Sequence, residues 1–284
     1  MHCKKNLVLA SALLAGFWAA PCFPSELAEK GRDIFNKNQH AVVTVEIVLK
    51  MTYSSSGQPS APQETKQEAT GTVVDPSGLT VLALSACDPS DMYQRVMSQQ
   101  SRYKVDSEVS DVKILLDDGS ELPAEIVLRD KDLDLAFIRP KTKPATPMAA
   151  VDLNRSAPAQ VLDEVMTLNR LNKAASRAYA ASIEHIAAVV QKPRMFYIPD
   201  STATATTLGS PAFLLDGKVL GVFVMRAVSS GSGGAYNYRQ NVTSIILPAQ
   251  EILKAAKQAP EPKGESDKKE APKEPKGQEN AAQK

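Results

Sequence analysis

Cysteine is nearly absent: 284 residues carry only Cys3, Cys22 and Cys87. That excludes a disulfide-stapled scaffold and leaves no His/Cys spacing of the kind that holds zinc. Histidine is equally scarce, at His2, His40 and His185, so few side chains are available as a base near neutral pH. Neither sign of charge is in excess: 33 Lys and Arg face 32 Asp and Glu, a net charge of +1. A nucleic-acid partner needs a basic surface that this balance does not supply. No cofactor and no metal are implied. Asp117-Asp118 sits in an expected hairpin turn, where acidic residues are common without a metal.

One long apolar run is present, NLVLASALLAGFWAA at residues 6–20, behind the basic stretch HCKK at 2–5. It is too short and too early to span a membrane. With small residues at Ala20 and Cys22 it reads as a signal peptide over residues 1–22. Lipidation of Cys22 would need a small residue before it, and Pro21 argues against that reading. The expectation is an exported chain, periplasmic or extracellular, with Cys87 as its one remaining cysteine. Such a domain is held by its hydrophobic core.

The rest of the chain alternates short apolar segments with turn residues. Residues 25–38 read as a helix with Ser25 as N-cap. Residues 40–53 read as a strand, 54–68 as a polar loop, and 69–86 as two strands around Asp75-Pro76-Ser77-Gly78. Residues 87–110 look polar and weakly helical at best. Residues 111–130 form a hairpin around Asp117-Asp118-Gly119-Ser120, and 133–140 form a buried strand. A proline-rich crossover over 141–158 separates this half from a second set of strands and a closing helix at 249–258. Beyond Ala259 the composition turns to Lys, Glu and Pro without aromatic or β-branched residues, so 259–284 is expected to be a disordered tail. The resulting division is 23–145 for an N-terminal helix and first barrel, and 146–258 for a second barrel and closing helix.

Three stretches, in order, resemble the HtrA-like branch of the trypsin-like, chymotrypsin-fold serine peptidases. GTVVDPSGLTVLALSAC (71–87) is similar to the segment that ends in the catalytic histidine. DVKILLDDGSELPAEIVLRDKDLDLAFIRP (111–140) is similar to the hairpin and strand that carry the catalytic aspartate. TTLGSPAFLLDGKVLGV (206–222) is similar to G-N-S-G-G-P-L and the strand pair after it. The resemblance implies an all-β fold of two six-stranded antiparallel β-barrels with short N-terminal and C-terminal helices. The PDZ module usual in that branch has no counterpart; the polar tail stands in its place.

Compared position by position, the resemblance places the histidine at Ser85, the aspartate at Asp134 and the serine at Leu208. One of three catalytic groups remains. A leucine has no lone pair to attack a carbonyl, and a serine hydroxyl does not accept a proton near neutral pH. The oxyanion loop is altered as well. Thr206 replaces a glycine and is followed by Thr207, Leu208 and Gly209. Asp134 then needs another donor, and the expectation is a hydrogen bond from Ser85.

Three readings follow. The first is a pseudoprotease that binds extended peptide, or an unfolded or envelope protein, as a scaffold; an oligomer is compatible with it. The second is a divergent endopeptidase using Ser210 as nucleophile. The third is a structural envelope protein with a closed cleft. Cys87 reads either as a reactive thiol or as a small buried hydrophobe.

Overall fold

Alternation along the first long strand sets up the first barrel. In β1 (Val42–Ser55) the side chains of Val43, Val45, Ile47 and Leu49 point inward and are buried. They meet Val73, Leu82, Ile114, Ala136 and Ile138 from neighbouring strands in the barrel interior. The structure is a computed structural model that describes residues 25–55, 58–90, 92, 103–201, 207–228 and 242–260. The expected signal peptide, Thr206 and all but two residues of the expected tail lie outside the described residues.

The first sheet runs through β1, β2 (Gln58–Pro59), β3 (Gln63–Val73), β4 (Thr80–Ala83), β5 (Tyr103–Leu115), β6 (Glu121–Asp130) and β7 (Leu135–Pro140). Its order is β2-β1-β3-β4-β7-β6-β5, and pairing of β1 with β5 closes it into a barrel of six strands with β2 as an appendage. The second barrel comprises β8 (Glu164–Arg170), β9 (Tyr179–Val190), β10 (Phe196–Pro199), β11 (Pro211–Leu214), β12 (Val219–Ala227) and β13 (Val242–Pro248). It closes in the order β10-β13-β12-β11-β8-β9, with every pairing antiparallel. Its interior holds Val165, Ile186, Tyr197, Ala212, Leu220, Phe223 and Ile246. Two six-stranded antiparallel barrels is the architecture the resemblance implied.

A third apolar cluster lies between the barrels. Val81, Leu135 and Phe137 of the first barrel meet Met166, Leu168, Val222 and Val224 of the second. Both terminal helices join it: Ile34 from α1 (Glu26–Asn38), and Ala249, Ile252 and Ala255 from the C-terminal helix (Ala249–Ala256). Ser25 caps α1 as expected, its hydroxyl accepting from the Ala28 N–H at 3.2 Å. Among the described residues no helix is long and apolar enough to cross a membrane.

Three expectations need correction. Residues 63–68 are strand, not loop, because their backbone pairs with β1 from Met51↔Gln63 to Glu46↔Glu68. Residues 63–66 bury no side chain on either face, so hydrophobic alternation could not announce them. Residues 103–110 are strand for the same reason, pairing with β1 from Ser55↔Tyr103 to Leu49↔Val109. The strand expected to run to residue 86 stops at Ala83, where Leu84–Cys87 form one helical turn, α2.

Candidate active site

The turn after β6 places an acid that joins the barrels at the catalytic-aspartate position. Asp130 accepts at Oδ1 from the N–H groups of Asp132 and Leu133, each at 3.0 Å, and folds the chain back toward β7. Asp134 then takes a left-handed backbone conformation, φ +57°, which aspartate tolerates better than most residues. Its carbonyl accepts from the Leu84 N–H at 2.8 Å, tying the start of α2 to the turn. Its carboxylate accepts from the Ser85 N–H at 2.7 Å and from the Ser85 hydroxyl at 2.8 Å. It also accepts from the Met225 N–H of β12 at 2.7 Å. The expected Ser85–Asp134 hydrogen bond is therefore present, and one carboxylate bridges both barrels.

Leu208 is not part of that group. Its side chain is 6 % exposed and belongs to the apolar cluster between the barrels. Leu208→Ala is expected to destabilise the fold by about 3 kcal/mol, the typical cost of emptying a buried leucine site. A shift in the urea midpoint with an unchanged slope would show it; a shift near zero would mean that the site collapses or is exposed.

Gly209 fixes the loop around it. Its φ is +88°, and a Cβ there would lie 2.0 Å from the Thr70 carbonyl oxygen. Its N–H donates to Phe223 O at 2.8 Å, and its carbonyl accepts from the Thr72 hydroxyl at 2.7 Å. The Ser210 N–H donates to Thr207 O at 3.0 Å. These hydrogen bonds tie the loop to β3 and β12. Ser210 is fully buried, 0 % exposed, and Thr207 is buried as well.

The other candidate residues lie elsewhere. His40 Nδ1 is 3.0 Å from Asp117 Oδ2 and 3.2 Å from the Tyr179 hydroxyl, in a cluster that also includes Arg170, whose Nη1 donates to Asp117 at 2.9 Å. Burial pushes the Asp117 carboxyl up, but hydrogen bonds from Tyr179, His40 and Arg170 outweigh it and hold it below its ordinary value. This cluster latches the Asp117 turn of the first barrel to the ends of β8 and β9. His185 pairs with Asp200 at 3.1 Å on the outer face of the second barrel. Cys87 is buried, and burial, assisted by the nearby Asp88 charge, pushes its thiol up to about 12. The small-hydrophobe reading of Cys87 fits that environment; a nucleophilic thiolate does not.

Sequence reasoning missed what lies beneath and beside Ser85. Asp88 is buried and accepts from the hydroxyls of Ser90 and Ser107 and from Arg129 Nη1 at 2.9 Å, which props up α2. Ser90 is a local partner two residues on, but Ser107 and Arg129 come from β5 and β6, so local spacing shows only the turn and not the buttress. The space in front of Ser85, edged by Asp88, Lys131, Asp134, Met225 and Ala227, measures about 30 Å³. That is room on the scale of a water molecule, well short of the roughly 300–1,000 Å³ of a small-molecule site.

Two closed barrels, a bridging aspartate between them and a tight glycine loop on the second define the class: a chymotrypsin-like peptidase fold. The chain matches the trypsin-like peptidase domain over residues 69–222, more than half its length, and belongs to that family. No curated protein matches it significantly.

Proposed function

We propose that this protein is an exported, catalytically inactive member of the HtrA-like branch that binds extended peptide by strand addition. The observation that carries the reading is the fate of the reacting positions. The serine position, Leu208, is part of the inter-barrel core. The histidine position, Ser85, donates its hydroxyl proton to Asp134 instead of accepting one. Substrate turnover by the second reading would need Ser210, and full burial of that residue opposes attack on an incoming carbonyl.

Binding needs less than catalysis. β12 pairs with β13 along Gly221–Ala227 but with β11 only along Val219–Val222. From Met225 to Ala227 its other edge faces the cleft, with the Met225 N–H anchored on Asp134. An extended peptide laid along that edge gains main-chain hydrogen bonds without a triad.

The test is reaction of the purified full-length chain with a fluorophosphonate probe, read by intact mass, beside Ser210→Ala and a panel of fluorescent extended peptides. The reading expects no adduct, no cleavage and saturable binding of peptides. An adduct that disappears in Ser210→Ala would replace it with the endopeptidase reading. Neither adduct nor binding would leave a purely structural role.

A further inference from the structure

Beside the cleft lies a larger cavity of about 220 Å³, and three cations from three separate segments line it. Lys131 comes from the turn between β6 and β7, three residues before Asp134. Arg194 comes from the connection between β9 and β10, and Arg226 from β12, next to the anchored Met225. The acid on its lining is Asp132. Phe196, Leu133, Ile245 and Leu247 complete the lining.

The two arginines are arranged to receive an anion. The Arg226 guanidinium sits 5.0 Å from the centre of the Phe196 ring, over its face. Stacking of that kind holds the group while leaving its in-plane N–H donors free to point away from the ring. Arg194 makes no ion pair among the described residues. Arginine donors in a fork match a carboxylate at both oxygens. The position also fits the occupant. Met225 and Ala227 line both this cavity and the small space at Ser85, so a chain added to β12 at the edge that has no strand partner among the described residues passes the cations. Every second side chain of an added strand faces the same way, so one can reach the cavity while its neighbours lie along the edge.

We propose that Lys131, Arg194 and Arg226 seat a carboxylate of the bound peptide, so that the module selects acidic peptides. This rests on the strand-addition reading above and adds the chemical class of the ligand. The carboxylate has two sources, an acidic side chain or a chain end, and both present the same group.

The experiment measures binding to the full-length chain by fluorescence anisotropy with four otherwise identical peptides. Three are blocked at both ends and carry Glu, Gln or Lys at the central position. The fourth carries Gln and a free C-terminal carboxylate. The expected result is that the Glu peptide binds about tenfold more tightly than the Gln peptide, with the Lys peptide weakest, and that added salt narrows the gap. The variant Arg194→Gln, off the β12 edge, should narrow the gap between the Glu and Gln peptides while leaving the Gln peptide unchanged. Its thermal transition, matching that of the parent, shows that the fold is kept. A tenfold gain by the free-carboxylate peptide instead supports the seat and assigns it to a chain end. Equal binding of all four overturns the carboxylate seat and leaves strand addition standing. Binding of none overturns both.

Discussion

Gly209→Ala is expected to destabilise the fold by about 4 kcal/mol or more, a large share of the roughly 5–15 kcal/mol that holds a typical domain together. The cost has two independent sources. An alanine at φ +88° pays a backbone penalty of about 1–2 kcal/mol. Its Cβ would also lie 2.0 Å from the Thr70 carbonyl oxygen, and the obstacle is backbone in β3 rather than a side chain that can swing aside. Relief requires the loop to move off β3. That movement breaks the bond from the Thr72 hydroxyl to Gly209 O and strains the one from Gly209 N–H to Phe223 O. It also draws Leu208 out of the inter-barrel core, since the two residues are adjacent. Gly217 separates the sources. Its φ is +77°, yet nothing lies within 4 Å of where its Cβ would stand. Gly217→Ala should therefore cost only the backbone share, about 1–2 kcal/mol. Urea titration of both variants measures the difference, and equal losses would show that the approach to Thr70 does not matter.

That loop is also held by contacts that require no nucleophile at residue 208. A glycine at 209 is needed whether or not residue 208 is a nucleophile, because the loop must pass against β3 in either case. Thr72 and Phe223 hold it by backbone and hydroxyl contacts that do not involve side chain 208. The position between them is then free to become an apolar residue, and Leu208 packs into the inter-barrel core.

Legibility in the sequence followed the same division between local and distant causes. The barrels were readable where burial alternates or runs continuously: Val43 to Leu49 in β1, the fully buried Leu135–Pro140, and Val219–Val224 in β12. Turns were readable where a side chain bonds its own backbone two residues on. Asp75 receives the Ser77 N–H at 2.8 Å, Asp118 the Ser120 N–H at 2.9 Å and Asp216 the Lys218 N–H at 3.0 Å. The outer part of β3 was not readable because it carries polar side chains on both faces, and that of β5 because Val105 and Val109 are diluted among charged and polar residues; both are held by pairing with β1. The Ser85–Asp134 bond was reachable only through the resemblance, which aligned two residues 49 apart. The Asp88 buttress and the three cations beside the cleft have no such guide. Each group is assembled by the topology from positions that look like ordinary solvated charges in their own segments.

Asp134→Ala is expected to cost about 4 kcal/mol, the mark of a residue that holds the two barrels together. The carboxylate accepts from the Ser85 hydroxyl and from two backbone N–H groups, Ser85 at the start of α2 and Met225 on β12. Removing the acceptor leaves both N–H groups without their carboxylate partner, at about 1–3 kcal/mol each when buried. Alanine at φ +57° adds about 1–2 kcal/mol, although partial exposure of the site moderates the total. Asparagine tolerates the left-handed conformation and keeps one accepting oxygen. It can satisfy one of the two N–H groups while presenting an NH₂ to the other, so Asp134→Asn should cost about half as much, about 2 kcal/mol. Ser85→Ala removes a single hydroxyl donor and leaves both N–H bonds intact, for about 1 kcal/mol. The order Ala, Asn, then Ser85→Ala, read from urea midpoints, is the signature of a bridge between barrels. Near-zero losses in all three would mean that the aspartate no longer contributes to the fold. Peptide binding should follow the same order if strand addition uses the β12 edge, because the Met225 N–H bond is what pins that edge to the first barrel. A variant that weakened the fold while leaving peptide affinity intact would move the binding surface away from β12.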